Sequence, residues 1–148
     1  MSTDLPGDDI ECCSLDAHSC IEADKHKWYM SQTAGYDVGN VALTAWVNDH
    51  WPGFLRARWI EHMRGKRRWM ELNREEFGLL NREFGDYREI LDEIVEMLVS
   101  GGENLNILQW SRRTKQPKDQ QKVREILHLL RINDHRLQCQ LAHRLACC

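Results

Sequence analysis

The stretch DYREILDEIVEMLVSGG, residues 86–102, decides the fold class. Tyr87, Ile90, Leu91, Ile94 and Leu98 recur at three- and four-residue intervals, which gathers the large apolar side chains on one face of a helix. Asp86 followed by Glu89 has the spacing of a capping box, and Gly101-Gly102 stops the run. Glu89, Asp92, Glu93 and Glu96 make the other face acidic.

The same period continues on both sides. Upstream, Asn73 with Glu76 repeats the cap-and-acid signature ahead of Phe77, Leu80 and Phe84, predicting a short helix, and Trp69–Leu72 reads as extended chain. Val38, Val41, Ala42, Ala45 and Trp46 form a stripe behind Asp37 as N-cap. Pro52 is expected to end that helix or to open the next, in which Leu55, Trp59 and Met63 line up before Gly65. Downstream, Leu105, Leu108 and Trp110 predict a helix closed ahead of Pro117, because the residue before proline avoids the helical region. Val123, Ile126, Leu127 and Leu130 predict another, and a last helix from about Asp134 carries Leu137, Leu141, Ala142 and Leu145. No alternating run with hairpin turns appears. The expected architecture is all-α: a single compact Trp-rich domain of seven to eight short helices over residues 23–148, behind a flexible acidic tail at 1–22.

At 148 residues, 42% hydrophobic and 29% charged, with a formal charge of -3, the composition is that of a globular chain and not of a disordered one. No apolar run reaches the roughly 18 residues of a membrane span, and the acidic start lacks the basic and apolar regions of a signal peptide. The expected setting is soluble and cytoplasmic, with no membrane partner. Charge is strongly segregated. Residues 1–24 hold seven acids and no Lys or Arg, residues 53–70 carry a net +5, and residues 71–99 a net -6.

Catalytic signatures are absent: no Gly-x-Gly-x-x-Gly, His-Glu-x-x-His or Gly-x-Ser-x-Gly occurs, and Glu125 to His128 is a single Glu-x-x-His without its second copy. The six cysteines cluster near the two ends, and without a secretory signal they read as reduced thiols. Cys13, Cys20, Cys139 and His143 are the candidate zinc or redox ligands. Their spacing matches no zinc-finger or ribbon pattern, so such a site requires the chain ends to meet, and no cofactor is otherwise expected.

The basic segment says more. Arg56, Arg64, Lys66, Arg67 and Arg68 lie among aromatics, and together with Trp69 they form the candidate partner-binding surface, since Arg and Trp dominate protein interfaces. The acidic helix at 86–99 complements this segment, within one chain or across a symmetric dimer. Phosphate binding is the competing use of the same charges. Residues 105–130 resemble a degenerate helix-turn-helix, with Leu108, Trp110 and Ser111 in the first helix and Val123, Ile126 and Leu127 in the second. Lys115 and Gln116 stand where the turn should hold Gly and an apolar residue, and the spacing is about two residues too long.

A further likeness covers roughly residues 24–84. His26-Lys27-Trp28, Ser31, Ala34-Gly35, Asp37 and Gly39, followed by Phe54-Leu55-Arg56-Ala57-Arg58-Trp59-Ile60-Glu61-His62 and Gly65-Lys66, resemble a small bacterial family of unknown function. The resemblance implies bacterial origin and a compact domain, and carries no activity onto any residue. The functional expectation is a non-enzymatic adaptor or regulator that binds a protein, or a second copy of itself, through the Arg/Trp surface. A nucleic-acid-binding regulator and a thiol or zinc sensor are the alternatives.

Overall fold

A computed structural model describes residues 12–132, 137 and 139–146. They form seven α-helices: α1 Leu15–Ala34, α2 Asn40–Met63, α3 Leu79–Glu83, α4 Arg88–Val99, α5 Asn104–Thr114, α6 Pro117–Leu130 and α7 Gln140–Ala146. Two strands of two residues each, β1 Cys12–Cys13 and β2 Arg68–Trp69, pair in parallel with Cys12 opposite Arg68 and Cys13 opposite Trp69. Helices α1 and α2 form a long antiparallel hairpin, α7 packs against both, and α5 and α6 form a second hairpin. No helix among the described residues is long and apolar enough to cross a membrane.

The stripe on α4 is buried as its spacing predicts, at Ile90, Leu91, Ile94 and Leu98. The Asp86 capping box does not form, because Gly85–Tyr87 winds into a 3-10 turn and the helix begins at Arg88 with no side-chain cap. Gly101 ends the element at φ 97°, and the Gly102 N–H donates to the Met97 carbonyl at 2.8 Å. Glu103 then makes a capping box with Asn106 at the start of α5. Pro117 occupies the first position of α6, where its missing N–H costs nothing.

Other boundaries differ from expectation as well: Gly39 and not Asp37 caps α2, Asn73 caps a 3-10 turn at Arg74–Glu76 ahead of α3, and α7 begins at Gln140, past Leu137. Pro52 neither ends nor opens a helix: α2 runs through it for 24 residues. The proline removes one N–H from the ladder. Its ring is on the exposed side, while Trp46, Trp51, Leu55 and Trp59 are buried and hold the two halves in line. Ordered structure also begins well before residue 23, since β1 and the first turns of α1 lie inside the stretch read as tail. The cause is a distant cap. The Glu71 carboxylate accepts from Leu15 N at 2.7 Å, Asp16 N at 2.9 Å and Ser14 Oγ at 2.9 Å, and Ser14 Oγ accepts from Ala17 N at 3.2 Å. Carboxylates suit the positive end of a helix. Residues 1–11 lie outside the described residues.

Tryptophan does most of the stitching. Trp46, Trp51, Trp59 and Trp69 are buried. Trp59 Nε1 donates to the Leu130 carbonyl at 2.7 Å and Trp51 Nε1 to that of Leu137 at 2.9 Å, tying α2 to the C-terminal helices. Buried indoles combine a large apolar area with an N–H that finds an acceptor.

Candidate functional site

The basic segment spans the last turns of α2 and the loop that follows, and Arg56, Arg58 and Arg64 are paired within the chain. Arg56 forks onto Glu103, with both carboxylate oxygens at 3.1 Å. Arg58 pairs with Glu61 at 3.0 Å and lies 5.2 Å from the Phe54 ring centre and 5.8 Å from that of Trp69. Arg64 is buried, pairs with Asp92 on α4, and its carbonyl accepts from Asn81 Nδ2. The acidic face of α4 thus meets the basic segment in the same chain at this pair, which removes it as a contact between two copies. Trp69 is fully buried, with the His18 ring edge-on at 4.9 Å. It belongs to the core and not to a partner-binding surface, because its place in β2 turns it inward between β1 and the end of α2. Of the six residues assigned to that surface, Lys66 and Arg67 are exposed, Arg56 and Arg68 half-buried, and Arg64 and Trp69 buried.

His62 organises this loop. Its ring is fully buried, Nδ1 accepts from Trp69 N at 3.2 Å, and Nε2 lies 2.7 Å from the Asn73 carbonyl, to which the Nε2–H tautomer donates. Burial pushes the imidazole pKa below its usual value, and Arg68 adds to the effect. The Asn73 hydrogen bond and Glu76 act in the opposite direction. With both nitrogens committed to backbone groups, the ring is a structural clasp and has no lone pair or proton to offer a substrate.

Cys13 and Cys139 are buried, Cys20 is half-buried, and none of the described cysteines is in a disulfide. Among the described residues no group of three or more His, Cys, Asp or Glu side chains could hold a metal ion, and the His143 side chain lies outside them. In the helix-turn-helix candidate, α5 and α6 are separated only by Lys115 and Gln116. Val123, Ile126 and Leu127 face the core, and on the outer side Lys122 pairs with Glu125 at 3.1 Å. Their hydrogen bond raises the lysine pKa and lowers that of the glutamate.

Among the described residues the exposed aromatics lie elsewhere, at the turn end of the α1–α2 hairpin. Trp28 is 58% exposed, Tyr29 64%, Tyr36 69% and Val41 73%. Beyond Ala23 no residue of α1 is buried, and on α2 burial begins at Ala42. The turn between the helices is nonetheless built with care. Gly35 closes α1 in the left-handed region at φ 80° with its N–H on the Ser31 carbonyl. Ser31 Oγ accepts from Val38 N at 3.2 Å, and Asp37 Oδ1 from Gly39 N at 2.9 Å. Gly39 adopts φ 69° with ψ -153°, a region only glycine enters readily. Ser31, Gly35, Asp37 and Gly39 therefore have structural jobs in the turn.

Trp28 and Tyr29 are adjacent and cross edge-to-face at 5.1 Å. Each lines a different cleft. Trp28, with Asp24, Lys27, Gln32, Tyr36 and Asp37, borders one of about 530 Å³. Tyr29 borders another of about 460 Å³ with His26 and His50, whose rings stand 5.3 Å apart. Reading by helical stripes missed this surface. Its signal was Trp28-Tyr29-Met30, three consecutive apolar residues that a helix sends in three directions, so that one core cannot take them all. Searches against protein-family models, curated proteins and solved structures find no match to the chain.

Proposed function

We propose that this protein is a non-enzymatic binding module that engages a protein partner through the turn end of the α1–α2 hairpin. The observation that carries the reading is the exposure of Trp28, Tyr29, Tyr36 and Val41 on two helix ends whose connecting turn is rigidly built. Exposed apolar clusters of this kind mark interaction surfaces, and Trp and Tyr are the residues that most often dominate binding energy. A nucleic-acid partner is less well served by residues 53–70, because Arg56, Arg58 and Arg64 are paired within the chain and, of that segment's cations, Lys66 and Arg67 are the exposed ones. These two follow the other end of α2, roughly 36 Å from the aromatic surface along the helix axis. They offer a second contact for an acidic partner.

The test is photo-crosslinking in the cells that make the protein, with a photoreactive residue at Val41. The expected result is an adduct to another protein that disappears in the Trp28→Ala/Tyr36→Ala background. That double variant should melt within about 1–2 °C of the parent, since both side chains are exposed. Adducts that persist unchanged in the double variant, or that form only with the chain itself, overturn the reading.

A further inference from the structure

The cleft beside Trp28 has a chemistry of its own. Two aromatic rings, Trp28 on α1 and Tyr36 in the turn, line one opening of about 530 Å³. They make no ring contact with each other, although Trp28 does with Tyr29. Space between two exposed rings is room for a side chain to enter.

The rest of the lining selects what enters. Asp24 and Asp37 contribute two carboxylates, and Lys27 is the one cation. Lys27 Nζ is 3.9 Å from Asp37 Oδ1, at the outer limit of an ion pair, so its charge is partly offset by Asp37 and Asp24 is left as the uncompensated acid of the lining. The lining is net negative, and two of its residues are aromatic. A purely apolar guest leaves the Asp24 carboxylate without compensation, and an anion meets an excess of like charge. A cation meets two aromatic side chains and the Asp24 carboxylate.

Resting on the protein-binding reading above, we infer that this cleft takes an arginine side chain of the partner. Arginine fits better than lysine because its planar guanidinium stacks flat on aromatic rings while its edge donates a fork of N–H groups to a carboxylate. Asp24 precedes Trp28 by one helical turn, so its carboxylate sits beside the ring on the same face of α1. Asp37 is fixed by its bond to Gly39 N. The turn that carries Tyr36 and Asp37 is therefore prearranged, which lowers the ordering cost of binding.

The experiment uses the full chain and a short blocked peptide with one central arginine. Controls are the citrulline peptide, which has nearly the same shape without the charge, and the lysine peptide. Nuclear magnetic resonance follows the Trp28 indole N–H, assigned by its loss in Trp28→Phe, and the Gly35 amide. The expected result is a saturable shift of both signals with the arginine peptide, weakened by salt and absent with citrulline. Tyr36→Leu or Asp24→Asn should each weaken binding about threefold or more. Equal shifts with citrulline, tighter binding of lysine, no saturable shift, or shifts confined to the acidic face of α4 would each overturn the inference. Failure here with a Trp28-dependent crosslink intact rejects arginine and leaves the protein-binding reading. Arginine binding without any crosslinked partner does the reverse.

Discussion

Replacing Glu71 with glutamine should loosen the start of α1 from a position 55 to 57 residues away in sequence. In the native chain one carboxylate accepts three bonds, Leu15 N on Oε1 and Asp16 N with Ser14 Oγ on Oε2, all between 2.7 and 2.9 Å. An amide presents oxygen to only one side. Whichever way it turns, its NH2 group faces a donor, so at least one bond is lost and the survivors become neutral. A hydrogen bond to a charged group is worth about 1.5–3 kcal/mol, and a carboxylate at a helix N-terminus adds about 0.3–1 kcal/mol. Glu71 is half-buried, so solvent recovers part of this, leaving an expected loss of about 2 kcal/mol. For a chain of this size that is a fall in melting temperature of roughly 4–8 °C. Thermal unfolding followed by circular dichroism measures the total, and amide hydrogen exchange locates it. Protection should fall most at Leu15 and Asp16 and least within α4. A melting temperature within about 1 °C of the parent, or equal loss of protection in α4, would refute the capping argument.

The remaining predictions concern the loop after α2 and the helix before it. Because folding holds His62 neutral, the unfolded chain takes up a proton that the native one refuses as pH falls below 6.5, and stability declines there until the folded imidazole itself titrates. One proton can contribute a slope of at most about 1.4 kcal/mol per pH unit. Urea midpoints measured down from pH 6.5 should flatten in His62→Gln, and an unchanged slope would assign the pH dependence elsewhere. Gly65 has φ 71°, and a Cβ there would sit 3.2 Å from the Gly78 Cα, so Gly65→Ala should cost about 1–3 kcal/mol. Gly53, inside α2 with open space around it, is the matched control, and Gly53→Ala should stabilise by about 0.5–1 kcal/mol. Equal effects in denaturant unfolding would show that backbone conformation does not govern the Gly65 turn.

Local signals were readable and distant ones were not. The stripe of α4, the glycine stop at Gly101 and the end of α5 ahead of Pro117 each follow from interactions within a turn or two. Pro52 was misread because its cost is local while the compensating burial of Trp46, Trp51 and Trp59 depends on partners as remote as Leu130 and Leu137. Trp69 looked like a surface anchor because it ends a basic run, but two-residue alternation in β2 separates it from Arg68 and turns it inward. Charge pattern identified residues that hold the loop together, since Arg64 and Arg56 do find carboxylates, but charge alone does not distinguish an internal carboxylate from one on a partner. The aromatic surface was hidden for a different reason: α1 buries only Leu15, Ser19 and Ala23, and a helix without a stripe gives periodicity nothing to detect.

The parallel pairing of Cys12–Cys13 with Arg68–Trp69, backed by the Glu71 cap, fastens the two helices at the end away from their turn. In topological terms α1 and α2 are the sides of a closed circuit, with the clasp at the base and residues 35–39 at the apex. A cut at the apex would leave two pieces that still share a helix interface, a strand pair and a cap. The chain is therefore divisible into complementing fragments, and the apex is the place where a reporter could be divided between them.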